Sequence, residues 1–257
     1  PPAACSTVTA VPTEQTDDGG LWRRRLRIAS SPSRSAYGAA VHIEEIAYHA
    51  DGRDLIGTFA VDEFRPGPRP AVLVCHEGPG IDGHVKGRAV RLASLGYAAF
   101  ALDYHGGGQP LPLEETMARL GELMGDPGQV RALGGAGLDV LLGRPEVDPD
   151  RVAAMGFCFG GSMVLELARA GLDLKAVIGF HPGLGGVDVE AARTIRGSVL
   201  MFCGADDSLI GKDARDAFEA EMLAAGVADW RLEVLGGVGH SFTNVEVDQL
   251  GMPGLAW

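Results

Sequence analysis

The run Val152-Ala153-Ala154-Met155-Gly156-Phe157-Cys158-Phe159-Gly160-Gly161-Ser162 decides how the rest of the chain reads. An apolar stretch ends in Gly-x-Cys-x-Gly-Gly and passes into Met163 to Ala170, which reads as helix. Strand, sharp turn and helix in that order is the layout of the Gly-x-Ser-x-Gly nucleophile elbow, with Cys158 in the serine position. Gly156 and Gly160 suit a turn whose flanking backbones pass too closely for a Cβ. Cys158 then stands exposed at the end of a strand and at the start of a helix. There, unpaired N–H groups carry partial positive charge, which favours thiolate over thiol.

Outward from the elbow, apolar strand-like runs alternate with helical ones. Upstream, Val41 to His49 and Leu55 to Val61 flank Asp51-Gly52, a hairpin signal. The Pro-rich segment Arg65 to Pro70 reads as a loop. Ala71 to Cys75 is a continuous apolar run, as in a strand buried on both faces. A helix from about His84 to Leu95, stopped by Gly96, leads to a strand at Tyr97 to Leu102. Pro127 to Leu142 reads as a helix loosened by Gly134, Gly135 and Gly137, and Arg151 to Phe157 as the strand before the elbow. Downstream, strands at Lys175 to Phe180, Ser198 to Phe202 and Trp230 to Leu235 surround a helix at Lys212 to Ala225 that Gly226 closes. This alternation predicts an α/β fold: a mostly parallel central sheet with helices on both faces. Residues 41–257 form one such domain. Residues 1–40, rich in Pro, Ser, Thr and Ala with a basic cluster at Arg23, Arg24, Arg25 and Arg27, read as a loosely packed or disordered tail.

Leu111 to Asp126 carries Leu113, Met117, Leu120 and Met124 on one helical face. That face is either turned to the core or forms a lid whose methionines touch substrate, which makes Met117 a pocket candidate.

Composition narrows the partners. The chain of 257 residues has a formal net charge of −12, which argues against nucleic acid and anionic membranes. No apolar run approaches the roughly 20 residues that span a bilayer. The four cysteines (Cys5, Cys75, Cys158, Cys203) form neither a zinc motif nor a dense disulfide framework. Reduced thiols of this kind suit a cytoplasmic enzyme, with no metal and no cofactor expected.

In a parallel sheet, ligands bind beyond the C-terminal ends of the strands. Glu77, His105, Cys158, His181, Asp207 and His240 each follow directly on a strand-like run. A cysteine nucleophile needs a base, and the base an orienting group. Cys158, Asp207 and His240 occur in the chain order nucleophile, acid, histidine. His240 is favoured among the seven histidines by its Gly-rich approach after the last strand. Asp207 is favoured over Asp206 by the spacing Gly204-x-x-Asp207-x-x-Ile210.

Taken together, His76-Glu77-Gly78-x-Gly80, Asp103-Tyr104, Gly156-Phe157-Cys158-Phe159-Gly160-Gly161, Gly204-x-x-Asp207 and Gly239-His240-Ser241-Phe242 resemble the dienelactone hydrolase (carboxymethylenebutenolidase) family of the α/β-hydrolase fold. The resemblance runs from about Val41 to the C-terminus. It implies a Cys158–His240–Asp207 triad, a supporting Glu77 near the thiol, and an oxyanion hole from the N–H groups of Gly78 and Phe159. The substrate pocket is expected near Tyr104, His105, His181 and Met117.

Two features depart from the family. Its enzymes grip a substrate carboxylate with arginines, one four residues after the histidine and one in the loop after the fourth strand. Here those places hold Asn244 and His105-Gly106-Gly107-Gly108. A neutral substrate is therefore expected, because a carboxylate without a partner would be poorly desolvated. Arg88 or Arg91 is the fallback anion partner. The fold also normally ends in a helix on the sheet, and this chain stops at Trp257.

The expected activity is hydrolysis of small-molecule esters, lactones or thioesters through an acyl-enzyme, by a monomer or homodimer. Acyl transfer to an acceptor other than water, and a non-catalytic binding module that kept the fold, are the alternatives.

Overall fold

The computed structural model describes residues 41–245 and 247. Eight strands form one sheet in the order β1-β2-β4-β3-β5-β6-β7-β8. The hairpin of β1 (Val41–Ala50) and β2 (Arg53–Asp62) turns at Asp51-Gly52, and both residues take positive φ. β2 joins β4 (Ala98–Ala101) antiparallel. From β4 onward the ladder is parallel through β3 (Arg69–Cys75), β5 (Val147–Phe157), β6 (Ala176–Phe180), β7 (Ser198–Gly204) and β8 (Trp230–Leu235). The chain therefore has the α/β-hydrolase architecture, and the parallel strands end on one side of the molecule.

The two faces are packed differently. α1 (Gly83–Ser94) covers one of them with Val85, Ala89 and Ala93, spaced to share one side of a helix. Its Asp82 cap accepts from the Val85 N–H at 3.0 Å. On that face Phe157, Phe180 and Phe202 stack across β5, β6 and β7, with centroids 5.4 and 5.1 Å apart. The other face carries the larger core, with α3 (Pro127–Leu142), α4 (Phe159–Arg169) and α6 (Lys212–Ala225). The glycines of α3 do more than loosen it: a Cβ on Gly134 would press on Leu167, and one on Gly137 on Leu102. Their absence lets α3 lie against α4 and the sheet.

α2 (Leu113–Gly125) departs from the core-facing expectation. Leu113, Met117 and Met124 are exposed, while Thr116, Arg119 and Leu123 are buried. Leu120 is the member of the predicted stripe that packs inward. The helix is rotated so that Arg119 turns inward, where its guanidinium donates to the Tyr104 carbonyl at 3.1 Å. A short helix, α5 (Val189–Ala192), has no counterpart in the sequence reading. The expectations for residues 1–40 and for a missing terminal helix fall outside the described residues. Among the described residues, no helix is long and apolar enough to cross a membrane.

Candidate active site

The turn from β5 to α4 places Cys158 at φ 51° and ψ −117°, a region that side-chain-bearing residues rarely occupy. The strain is held from both sides. The Cys158 N–H donates to the Phe180 carbonyl at 3.0 Å and to His181 Nδ1 at 3.1 Å. The Cys158 carbonyl accepts from Gly161 N at 2.9 Å and Ser162 N at 3.3 Å, which starts the helix. The turn closes because neither flanking glycine has a side chain. A Cβ on Gly156 would run into the Gly160 carbonyl, and one on Gly160 into the Cys75 carbonyl. Cys158 is partly exposed, whereas Cys75 and Cys203 are buried. Burial pushes both of their thiol pKa values up, that of Cys203 to about 11.

Beyond β7, Asp207 Oδ1 accepts from Leu209 N at 2.8 Å and Ile210 N at 2.9 Å. Its Oδ2 lies 2.8 Å from His240 Nδ1. Asp206 is exposed and turned away. Burial alone would raise the Asp207 pKa. The bonds from His240 and the two backbone N–H groups outweigh it and hold the carboxyl below its usual range. For His240, burial pushes the pKa down, but Asp207 and then the Cys158 thiol outweigh it and bring it up to about 10. Since the carboxylate can only accept, Nδ1 carries a proton toward Asp207. Nε2 is buried and makes no hydrogen bond of normal geometry among the described residues. The sheet thus brings Cys158, His240 and Asp207 into electrostatic reach of one another.

Glu77 follows β3 and is buried. Its Oε2 accepts from Asn244 Nδ2 at 2.8 Å, and its Oε1 lies 3.7 Å from His181 Nε2. His84 Nδ1 is 3.9 Å from Oε2. His181 Nε2 is 2.8 Å from Thr243 Oγ1, and Arg88 donates to the Thr243 carbonyl at 2.6 Å. The segment after His240 is thereby tied to β3, β6 and α1. Asn244, at the place of the family arginine, holds Glu77, and Arg88 is committed to Thr243.

Phe159 opens α4, where the first N–H groups have no intrahelical acceptor. Gly78 lies under α2, in reach of Leu120 and Thr116. Among the described residues, neither the Gly78 nor the Phe159 N–H donates to a backbone carbonyl. Both remain available to an oxygen that gains charge.

Tyr104, His105 and His181, expected beside the pocket, are all buried, and each makes a hydrogen bond within the fold. Tyr104 Oη donates to the His76 carbonyl at 2.5 Å, and the two rings stack at 3.5 Å. His105 Nε2 is 2.7 Å from the Gly78 carbonyl. His181 holds the Cys158 N–H, and burial pushes its pKa well down, with His240 adding to the effect. Met117 stands on the exposed side of α2, one turn before Leu120. The sequence reading missed Thr243, which carries no chemical signature, and Asp103 as an anchor. Asp103 had a signal, an aspartate directly before a glycine-rich loop. Among the described residues, no group of three or more His, Cys, Asp or Glu side chains is placed to hold a metal ion.

Comparison with known proteins bears on the family and the fold. Residues 56–250 match the family model described as "Dienelactone hydrolase family". A solved dienelactone hydrolase-like promiscuous phosphotriesterase from metagenomic libraries is 40% identical, with a TM-score of 0.81 over 86% of this chain and 91% of that one. A second solved structure, m3DLH, is 44% identical, with a TM-score of 0.81 over 85% and 91% of the two chains. "Protein usf" of Aquifex pyrophilus is 28% identical over 184 residues, 68% of this chain and 77% of that protein.

Proposed function

The chain belongs to the dienelactone hydrolase family, and from that premise we propose that it hydrolyses neutral carboxylic esters, lactones or thioesters with Cys158 as nucleophile. The Cys158 sulfur attacks the substrate carbonyl carbon, and the displaced π electrons move to the oxygen. That oxygen lies toward the N–H groups of Gly78 and Phe159, which stabilise it as charge develops. As the tetrahedral species collapses, the His240 imidazolium gives its Nε2 proton to the departing alkoxide. A thioester to Cys158 remains. His240 then takes a proton from water as the water attacks, and collapse of the second tetrahedral species releases the acid and the sulfur. Asp207 keeps the ring oriented and offsets its positive charge throughout.

The observation that carries this reading is His240, a buried imidazole bonded to Asp207 at 2.8 Å and raised to about pKa 10 by that carboxylate and the neighbouring thiol. Such a ring is an imidazolium at neutral pH, the counter-charge a thiolate nucleophile uses. The preference for a neutral substrate rests on Asn244, which is bonded to the buried Glu77 carboxylate, and on Arg88, which is taken up by the Thr243 carbonyl.

The test is substitution of Cys158 with ester turnover as readout. C158A should abolish hydrolysis of p-nitrophenyl esters while the fold stays intact. C158S should lose on the order of 10² or more in kcat, since a hydroxyl depends wholly on His240 for activation. Iodoacetamide should inactivate the wild type, with loss of activity tracking the label at Cys158 and no label at the buried Cys75 and Cys203. Undiminished turnover in C158A would reject the reading.

A second substrate class is favoured by the 40% identity to a promiscuous phosphotriesterase. The same thiolate and N–H pair suit attack on a neutral phosphotriester, with a phosphorylated Cys158 as the species to trap by mass spectrometry.

A further inference from the structure

We infer that His105 is a positioning residue that aims the Gly78 N–H at the oxyanion. This rests on the cysteine-hydrolase reading above, and it concerns a side chain that does not touch the reacting atoms.

The segment after β3 carries the Gly78 donor. Gly78 has no side chain to restrain it, so a donor at that place has to be held from outside. Three consecutive carbonyls are held. The His76 carbonyl accepts from Tyr104 Oη at 2.5 Å. The Glu77 carbonyl accepts from Gly80 N at 3.2 Å and lies 2.6 Å from His76 Nδ1. The Gly78 carbonyl lies 2.7 Å from His105 Nε2. In a trans peptide the N–H points opposite to the carbonyl. Fixing the Glu77 carbonyl therefore sets the direction of the Gly78 N–H, and fixing the Gly78 carbonyl stops rotation from the other end.

His105 is itself anchored. Asp103 Oδ1 accepts from His105 N and Gly106 N, each at 2.9 Å. Asp103 Oδ2 accepts from Gly108 N at 2.9 Å and Ile56 N at 3.1 Å. One carboxylate thus clamps the turn between β4 and α2 with four N–H groups. The ring meets His76 and Tyr104 edge-on, with centroids 4.8 Å away in both cases. Because a carbonyl can only accept, the bond to Gly78 requires the proton on Nε2. Burial holds the ring's pKa below the usual value, so the neutral Nε2–H form is the resting one. A rigid line therefore runs from Asp103 through His105 to Gly78.

The test uses the full-length protein and two variants. H105F keeps a ring and loses the N–H, while H105Q keeps an N–H at about the reach of Nε2. Three readouts are taken: kcat, KM, and the rate at which iodoacetamide alkylates Cys158. Alkylation displaces iodide at a saturated carbon and forms no oxyanion, so it reports on the thiol without the hole. H105F should lose at least tenfold in kcat with KM within about threefold, because oxyanion contacts strengthen in the transition state. Its alkylation rate should match wild type, and H105Q should regain most of the loss. Removing an oxyanion donor outright costs about 10² to 10³, which bounds the effect. Wild-type kcat in H105F would overturn the inference. So would a parallel loss of alkylation and turnover, or failure of H105Q in a protein that melts like wild type. Failure of the cysteine reading would show separately, as full turnover in C158A.

Discussion

Replacing Asp207 by asparagine tests the electrostatic centre of the site. Burial alone pushes the His240 pKa down from 6.5, yet it stands at about 10. That rise corresponds to about 5 kcal/mol in favour of the imidazolium, at about 1.36 kcal/mol per pH unit. Asp207 is the first of the two groups that produce it. In D207N the carboxylate is gone while burial is unchanged, so the ring loses its proton at a much lower pH. The alkaline limb of kcat/KM, near pH 10 in the wild type, should move down by two or more units. At pH 7.5, kcat should fall on the order of 10² to 10⁴, the range spanned by losing the orienting acid of such a triad. Cys158 alkylation by iodoacetamide at neutral pH should slow in step, since the positive charge of His240 near the sulfur is lost. Stability has a matching sign. A pKa raised on folding stabilises fully below pH 6.5 and fades as pH rises through about 10. The gap in melting temperature between wild type and D207N should therefore be widest near pH 6 and narrow toward pH 10. On the acid side, Asp207 is lowered on folding, so its own share is lost as pH falls through that lowered value. An alkaline limb at the same pH in both proteins would refute this account of His240.

Two further outcomes follow from the same structure. In a matched pair of esters differing by one carboxylate, kcat/KM should favour the neutral member, because Asn244 and Glu77 stand beside the site and Arg88 is held by Thr243. A tenfold preference for the charged ester, about 1.4 kcal/mol, would reject that. Gly160→Ala should destabilise the protein by about 3 kcal/mol, read as a lower denaturation midpoint, because its Cβ would press on the Cys75 carbonyl of a buried strand. An unchanged midpoint would mean the elbow has room that the structure does not show.

The fold was legible from local signals because each was strong by itself. The apolar runs of β3, β6 and β7 are too short for helices and too continuous for half-exposed strands. Asp51-Gly52, Gly96 and Gly226 mark a turn and two helix ends, and each takes the positive φ that glycine or a turn aspartate tolerates. The elbow was legible because Gly156 is dictated by the Gly160 carbonyl a few residues away, although Gly160 itself answers to the Cys75 carbonyl on the neighbouring strand. For α2 the sequence left a core-facing stripe and a lid both open, for the opposite reason. Its apolar stripe is real, but Arg119 found a buried acceptor in the Tyr104 carbonyl, and that long-range contact set the rotation of the helix.

Chain order and spacing singled out Cys158, Asp207 and His240, and the fold brings them near one another because each sits just past a strand and strand ends gather on one side of a parallel sheet. They could not decide what the other histidines do. His105, His181 and His84 look alike in sequence, each a lone imidazole near a glycine or a strand end. Only the tertiary structure separates them, by what each ring nitrogen meets: the Gly78 carbonyl for His105, the Cys158 N–H and Thr243 for His181, and Glu77 and Thr243 for His84. A hydrogen bond is set within a few tenths of an ångström between groups up to 167 positions apart. Local sequence reports residue type and period, and it holds no record of such distances until the sheet has closed.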